Sequence, residues 1–419
     1  MVNALARTIR ANRPLAALTG FSVLLGLWNV SQYFATAGYD GVEHMEYADG
    51  LIFGGQLPHY TGEYYTPPGY YTLAGIADWL ARHAGVGEWH RAGMALNVVF
   101  LAITVVVVHR LAVELWPDRP RRAFAAAAFV AFFPLAVKDE TMFHPETLSL
   151  CLTTLALLLC VKTFANGRWA WGLGITLGAA QLVRAPALWA VAGCLLALAA
   201  ARKFRETAIV LVLAGVIAAP WYIHQYGTYG GSPVFNRPTV QKPLYERRPV
   251  SFYLDPGVPA VVSAPYKRHF LNRLVPTTYA EAWGDYFGIW AWNGGGDGGK
   301  GRPGSGARTA LVIQSLVGII PTLLALAGWV FLLGEARRRP ERLPIVLVPL
   351  FGVASYLLFT VSYPTPDGDV LKATYMLTAA GAWALGFATA LDRLRGRWLR
   401  ATVAVLALSA LAELPFLIY

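Results

Sequence analysis

Apolar residues gather in blocks of about 17–24 positions, each long enough to cross a bilayer as a helix, and the blocks recur from end to end. The pattern predicts helices over residues 14–31, 92–111, 122–137, 146–162, 169–183, 186–201, 207–222, 310–333, 343–362, 374–390 and 400–417, about eleven in all. Polar residues fall between them in two kinds of segment. One kind is short and basic: Arg7, Arg10 and Arg13; Arg119, Arg121 and Arg122; Arg202, Lys203 and Arg205; Arg337, Arg338, Arg339 and Arg342; Arg393, Arg395, Arg397 and Arg400. The other kind includes two long loops, 32–91 and 223–308, with short turns at 138–145, around Arg184 and at 363–373. In the first loop, helical spacing over 39–53 puts Asp40, Glu43 or His44, and Tyr47 on one face. A Pro-Pro break and an amphipathic helix follow over 60–83, with Tyr64, Tyr65, Tyr70, Tyr71 and Trp79 suited to the headgroup level. The Gly-rich stretch 293–308 reads as a mobile loop.

Composition narrows the class. Of 419 residues, 56% are hydrophobic and 14% charged, against roughly a quarter charged in soluble domains. The reading is an all-α polytopic membrane protein with two long outer loops carrying juxtamembrane helices. No run has the flanks of a cleaved signal peptide, so the first helix is expected to be a retained anchor. The net charge of +11 would suit nucleic acid, but every basic cluster falls on one side of the alternating helices. The positive-inside rule accounts for that charge, makes that side and the N-terminus cytoplasmic, and leaves the long loops outside. Cys151, Cys160 and Cys194 lie in predicted spans without metal-ligand spacing.

Candidate chemistry then concentrates on the outer side. The first loop carries Asp40, Glu43, His44, Glu46 and Asp49, and the 138–147 turn carries Asp139, Glu140, His144 and Glu146. Acids at the mouth of a helical bundle are costly unless they have a partner or a task. Glu46 and Asp49 read as solvated loop acids. Asp40, the first acid after the first span, and Glu146, which opens the fourth, read as functional, although an acid at a helix start is also favoured by the dipole. Arg184 and Lys372 are lone outer cations; each either snorkels to lipid phosphate or holds the phosphate of a bound lipid substrate. Tyr375 shares a helical face with Lys372. His224 and His269 read as structural. Nucleotide-binding loops, HExxH and a serine-nucleophile elbow are missing from the sequence.

The motifs YDGVEHMEYADGLIFGGQLP, YTPPGYYTL, FHPETLSL, LGAAQLVRAPAL, PWYIHQYGTYGGSPVF and DVLKATYML occur in the order and sidedness of the GT-C superfamily of polytopic glycosyltransferases, which the chain resembles over about 15–390. The likeness is nearest to bacterial members related to the aminoarabinose transferase of lipid A and to protein O-mannosyltransferases. It implies a single GT-C-like transmembrane domain over 1–419. The implied activity is transfer of a sugar, hexosyl or pentosyl, from a polyprenyl-phosphate donor to an acceptor hydroxyl at the outer face of a bacterial inner membrane. It places the catalytic base at Asp40, with Glu43 or Glu146 assisting, and Gly41 where the family pattern has a second acid. Arg184, Lys372 and Tyr375 would hold the donor phosphate. His44, Tyr64, Tyr65, Asp139, Glu140 and His144 would contact substrate, and a divalent metal would sit at Asp40, His44 and Glu146. The other readings are a transporter or flippase of polyprenyl-linked lipids and a non-catalytic relative, the latter kept open by Gly41.

Overall fold

The computed structural model describes residues 12–36, 38, 40–230, 244–265, 273–284, 305–362 and 371–417. Most of the Gly-rich stretch and His269 lie outside the described residues. The described secondary structure is helical throughout. In chain order the helices are α1 (Arg13–Gln32), α2 (Gly41–Ile52), α3 (Gly69–His83), α4 (Arg91–Leu115), α5 (Pro120–Phe132), α6 (Pro134–Asp139), α7 (Glu146–Ala165), α8 (Trp169–Gln181), α9 (Leu188–Ala200) and α10 (Phe204–Tyr229). Three short helices follow, α11 (Leu244–Arg247), α12 (Val250–Leu254) and α13 (Ala260–Ser263), then α14 (Leu274–Trp283), α15 (Ser305–Ala336), α16 (Leu343–Ser362), α17 (Ala380–Leu391) and α18 (Gly396–Leu417).

Every expected span falls on a helix, but the count of eleven crossings is not established. Among the described residues, seven stretches are long and apolar enough to cross a membrane, including Arg13–Gln32, Arg91–Leu115, Glu146–Ala165, Phe204–Tyr229 and Ala373–Leu391. Helices α8 and α9 have 13 residues each, about 20 Å of rise against a hydrocarbon core of about 30 Å. The block at 122–137 is split. Pro134 follows Phe133, which is extended at φ −70° and ψ 113°, so α5 ends there and α6 restarts. The multi-pass membrane class stands on the seven long helices and their apolar exposed faces.

The largest core cluster runs through α4, α5, α7, α8, α9 and α17, and is rich in Ala, Leu and Val. Small residues permit the closest approaches. A Cβ on Gly328 of α15 would lie 1.7 Å from the Gly386 carbonyl oxygen of α17. At one end of the bundle three of the basic clusters meet. Arg122 donates to Asp392 at 2.8 Å, Arg393 donates to Glu335 at 2.8 Å, Arg342 also bonds Glu335, and the Arg342 guanidinium lies over Trp116. The segments around 119–122, 335–342 and 392–393 therefore share one face of the bundle, as the charge pattern predicts. Helices α2 and α3, the 138–145 turn, the 182–187 turn and residues 371–372 gather elsewhere, around the second core cluster.

Gly328→Ala should lower stability by about 1–3 kcal/mol, the cost of overpacking a close contact. Gly334→Ala, one and a half turns on and open on all sides, should instead gain helix propensity. Thermal unfolding of both variants in detergent checks the contrast, and equal effects would contradict the packing described.

Candidate active site

Local backbone rules bring the polar residues of four segments together. Pro67 and Pro68 cannot continue a regular helix, so α3 starts at Gly69. Gly69 N–H donates to the Leu182 carbonyl at 2.7 Å, and a Cβ there would stand 2.5 Å from that oxygen. Only glycine permits this approach, which pins the 63–66 segment beside Arg184. Asn97 of α4 donates to the Met142 and His144 carbonyls at 2.8 and 2.9 Å, fixing the turn before Pro145 starts α7 at Glu146. The Glu281 carboxylate of α14 accepts the Ala373 N–H at 2.6 Å and so sets the backbone next to Lys372.

The centre of the resulting cluster is Glu146, 1% exposed. Arg184 donates to its Oε1, with Nε at 2.8 Å and Nη2 closer, while His144 Nδ1 bonds Oε2. Arg184 Nη1 also reaches Thr66 Oγ1 at 3.2 Å and lies 3.9 Å from Glu63. Glu63 accepts from the Tyr65 hydroxyl at 2.6 Å and from the Thr66 hydroxyl at 2.8 Å. Asp139 is fully buried, takes a hydrogen bond from Thr147 at 2.6 Å, and lies 3.9 Å from His144 Nδ1. His44 is buried, bonds the Tyr71 hydroxyl at 2.6 Å and meets the His144 ring edge-on at 4.2 Å.

Asp40 and Lys372 close the open side of the cluster. Lys372 Nζ donates to Asp40 Oδ2 at 2.5 Å across 332 positions of sequence. The Asp40 side chain is 43% exposed, the Lys372 side chain 20%. Burial works to raise the Asp40 carboxyl, but the Lys372 charge and hydrogen bond outweigh it and hold the carboxyl below its usual range. Burial would lower Lys372, yet Tyr375 and Asp40 raise it, so the ammonium stays charged. Asp40 also sits at φ +55°, a left-handed conformation that Asp and Asn tolerate better than other side chains. His44 is pushed well below its ordinary value, first by burial and then by His144. His144 is raised: burial lowers it, but Glu146 more than compensates.

The structure distributes the expected site residues unevenly. Asp40, His44, Asp139, His144, Glu146, Arg184 and Lys372 are brought together. Tyr65 joins through Glu63, and Tyr64 packs its ring 4.8 Å from Tyr229 while its carbonyl accepts from Gln225. Tyr375 packs against Phe359 and within the electrostatic reach of Lys372. Glu43 is exposed beside Gly62, and His44, not Glu43, occupies the buried face with Tyr47. Glu140 is fully buried but turned to α1: a Cβ on Gly26 would lie 2.8 Å from its Oε1. Burial, and then the adjacent Asp139, raise its carboxyl well above the ordinary range. Glu46 is exposed, and Asp49 lies 3.7 Å from His90.

Among the described residues three groups have the donors for a divalent cation, with the ligand atoms of each within 4.8 Å of one another: Asp49, Asp78 and His90, and, within this cluster, Asp40, His44 and Glu63, and Asp139, His144 and Glu146. The expected trio of Asp40, His44 and Glu146 is thus split between the last two groups. Glu63, which the sequence reading passed over among the aromatics of YTGEYYTPP, completes the group with Asp40 and His44; its burial at 5% exposure next to a Pro-Pro break is not a signal that spacing carries. Glu281 was hidden in the same way. Gly41 has a steric reason: a Cβ there would lie 2.7 Å from the Thr36 carbonyl oxygen, so an acid cannot stand at that position without moving the backbone.

Residues 76–224 match the family model described as dolichyl-phosphate-mannose-protein mannosyltransferase. No curated protein matches the chain significantly in sequence. Among solved structures, the Archaeoglobus fulgidus oligosaccharyltransferase in complex with Zn and sulfate is similar at 15% identity and TM-score 0.56, over 97% of this chain and 53% of that one. ArnT from Cupriavidus metallidurans is similar in its apo state at 16% identity and TM-score 0.58, over 95% of this chain and 63% of that one. ArnT bound to undecaprenyl phosphate gives 17% identity and TM-score 0.53, over 94% and 62%. The chain spans about half the length of the oligosaccharyltransferase and under two thirds of ArnT. It has the GT-C fold that its motifs resemble.

Burial and then the Glu146 charge raise the Asp139 carboxyl to about 7. A carboxyl raised in the folded state favours the fold fully below its unfolded value, about 3.9, and loses that contribution as pH rises to about 7. Asp139→Asn cannot ionise. In chelator-treated protein its thermal stability relative to the native chain should therefore increase from pH 4 to about pH 7 and level off above. A difference that stays flat across that range would contradict the environment described.

Proposed function

We propose that this chain is a membrane glycosyltransferase that takes a sugar from a polyprenyl-phosphate carrier and transfers it to an acceptor hydroxyl, with inversion at the anomeric carbon. The observation that carries the reading is the Asp40–Lys372 pair, a partly exposed carboxylate held 2.5 Å from a cation beside the buried Arg184 group. A carboxylate kept ionised and open to solvent suits a general base. Two fixed cations next to it suit the neutralisation of a departing phosphate.

The roles then divide by exposure. Asp40 takes the proton from the acceptor hydroxyl as its oxygen attacks the anomeric carbon. The carbon–oxygen bond to the carrier breaks, and the phosphate leaves with the electron pair toward Lys372 and Arg184. Both oxygens of Glu146 are engaged, so Glu146 is a positioning residue that aims Arg184 and His144. Tyr375 supports Lys372, and Tyr64 and Tyr65 line the approach for the sugar. Asp40, His44 and Glu63 fit a divalent cation in donor type and spacing. Such an ion would supply Lewis-acid stabilisation of phosphate charge at that end of the bundle. The charge distribution supports a bacterial inner-membrane protein with the N-terminus and arginine clusters cytoplasmic and the Asp40 end periplasmic, within one transmembrane domain whose loops 32–91 and 223–308 face outward.

Turnover of labelled polyprenyl-phosphate monosaccharides in nanodiscs, with envelope extract as acceptor, tests the proposal. Asp40→Asn keeps the left-handed backbone and should lose about 10²–10⁴-fold in rate with unfolding temperature unchanged. Near-native turnover in that variant would overturn the base assignment, and no turnover with any donor in the native chain would overturn the transferase reading.

A further inference from the structure

A cavity of about 1020 Å³ lies between α5, α15, α17 and α18 and shares no lining residue with the candidate active site. Its walls are apolar, with Phe124, Phe132, Leu399, Leu406 and Leu411 among them. Phe124 and Leu411 are also exposed, at 39% and 68%, so the cavity is open sideways to the bilayer. From Arg121 to Phe132 the groove follows α5 for about 17 Å, close to the roughly 15 Å depth of one leaflet.

One end of this groove is cationic. Arg119, Arg121, Arg122 and Arg395 line it with a single acid, Asp392. Asp392 is taken up by Arg122 at 2.8 Å and Arg119 at 3.6 Å. Arg121 and Arg395 are exposed, and among the described residues no ion pair involves either. An apolar slot one leaflet deep, capped by two uncompensated guanidinium groups, is complementary to a lipid with a negative headgroup.

We infer that this groove binds an anionic glycerophospholipid, its phosphate between Arg121 and Arg395 and its acyl chains along Phe124, Phe132, Leu406 and Leu411. A zwitterionic lipid would bring its own ammonium to the arginines. A second copy of the chain would set arginine against arginine. A polyprenyl-phosphate donor seated here would hold its phosphate among the arginine clusters, at the end of the bundle away from Asp40. The bound lipid fills the space between α18 and its neighbours and so ties the last described helix to the bundle.

The test is native mass spectrometry and thermal unfolding of delipidated whole protein in detergent, with phosphatidylglycerol, phosphatidylethanolamine or undecaprenyl phosphate added separately. Phosphatidylglycerol should be retained and raise the unfolding temperature, while the other two should not. The double variant Arg121→Gln with Arg395→Gln should bind it about thirty-fold more weakly. Ala407→Trp, which fills an exposed position on the groove wall, should weaken retention with both arginines intact. Equal retention of phosphatidylglycerol and phosphatidylethanolamine would overturn the inference, as would preference for undecaprenyl phosphate, lipid-free dimers, or unchanged binding in the double arginine variant. Glycosyl transfer is not the readout, so failure here is separate from failure of the transferase reading.

Discussion

The site rests on one buried carboxylate shared between an arginine and a histidine. Glu146 sits below the surface with Arg184 on one oxygen and His144 on the other. Taking these charges out of water costs several kcal/mol per ion, and the mutual attraction offsets it only while every partner is in place. Each partner belongs to a different piece of chain: Glu146 to the start of α7, His144 to the preceding turn, Arg184 to the turn after α8. Thr66 and Glu63 extend the network into the first loop. The requirement that these charges be satisfied together is therefore what gathers the loops. Lys372 and Asp40 close the same cluster from its exposed side.

The two ends of the bundle solve the charge problem differently. At the arginine-rich end, cations share a few acids and stack on aromatic rings, as the largely buried Arg122 and Arg342 do on Trp116, while Arg121 and Arg395 stay exposed. Charge there remains in excess and accessible, which suits a surface facing anionic lipid. At the other end the charges around Glu146 are paired and mostly buried, and Asp40 with its partner Lys372 forms the more accessible edge of that cluster. An excess of charge attracts; a balanced, desolvated cluster orients.

Much of this was legible in the chain because it depends on patterns. The helices follow from apolar blocks, and the shared face of the arginine clusters follows from their alternation. Asp40, Arg184 and Lys372 stand out because a charge at the edge of an apolar block is costly. What could not be read depends on three-dimensional contact. Periodicity left Glu43 and His44 as alternatives on the α2 face, and packing against Tyr71 selected His44. Glu63 was masked by its aromatic neighbours. The Gly41 departure looked like a lost acid and is a steric necessity set by Thr36. The number of crossings stays open because α8, α9 and the broken α5–α6 unit are apolar yet short, and apolar length alone does not distinguish a full crossing from a buried half-helix.

The proposed mechanism turns on Lys372, bonded to Asp40 in this structure, receiving the phosphate of the donor. The most direct measurement is equilibrium binding of a polyprenyl phosphate to Asp40→Asn and to Lys372→Gln in nanodiscs. Freed of its carboxylate partner, Lys372 in Asp40→Asn should bind the phosphate at least as tightly as in the native chain, while Lys372→Gln should bind it about tenfold or more weakly, the loss of a charge-assisted hydrogen bond. Weakened binding in Asp40→Asn together with native affinity in Lys372→Gln would contradict it.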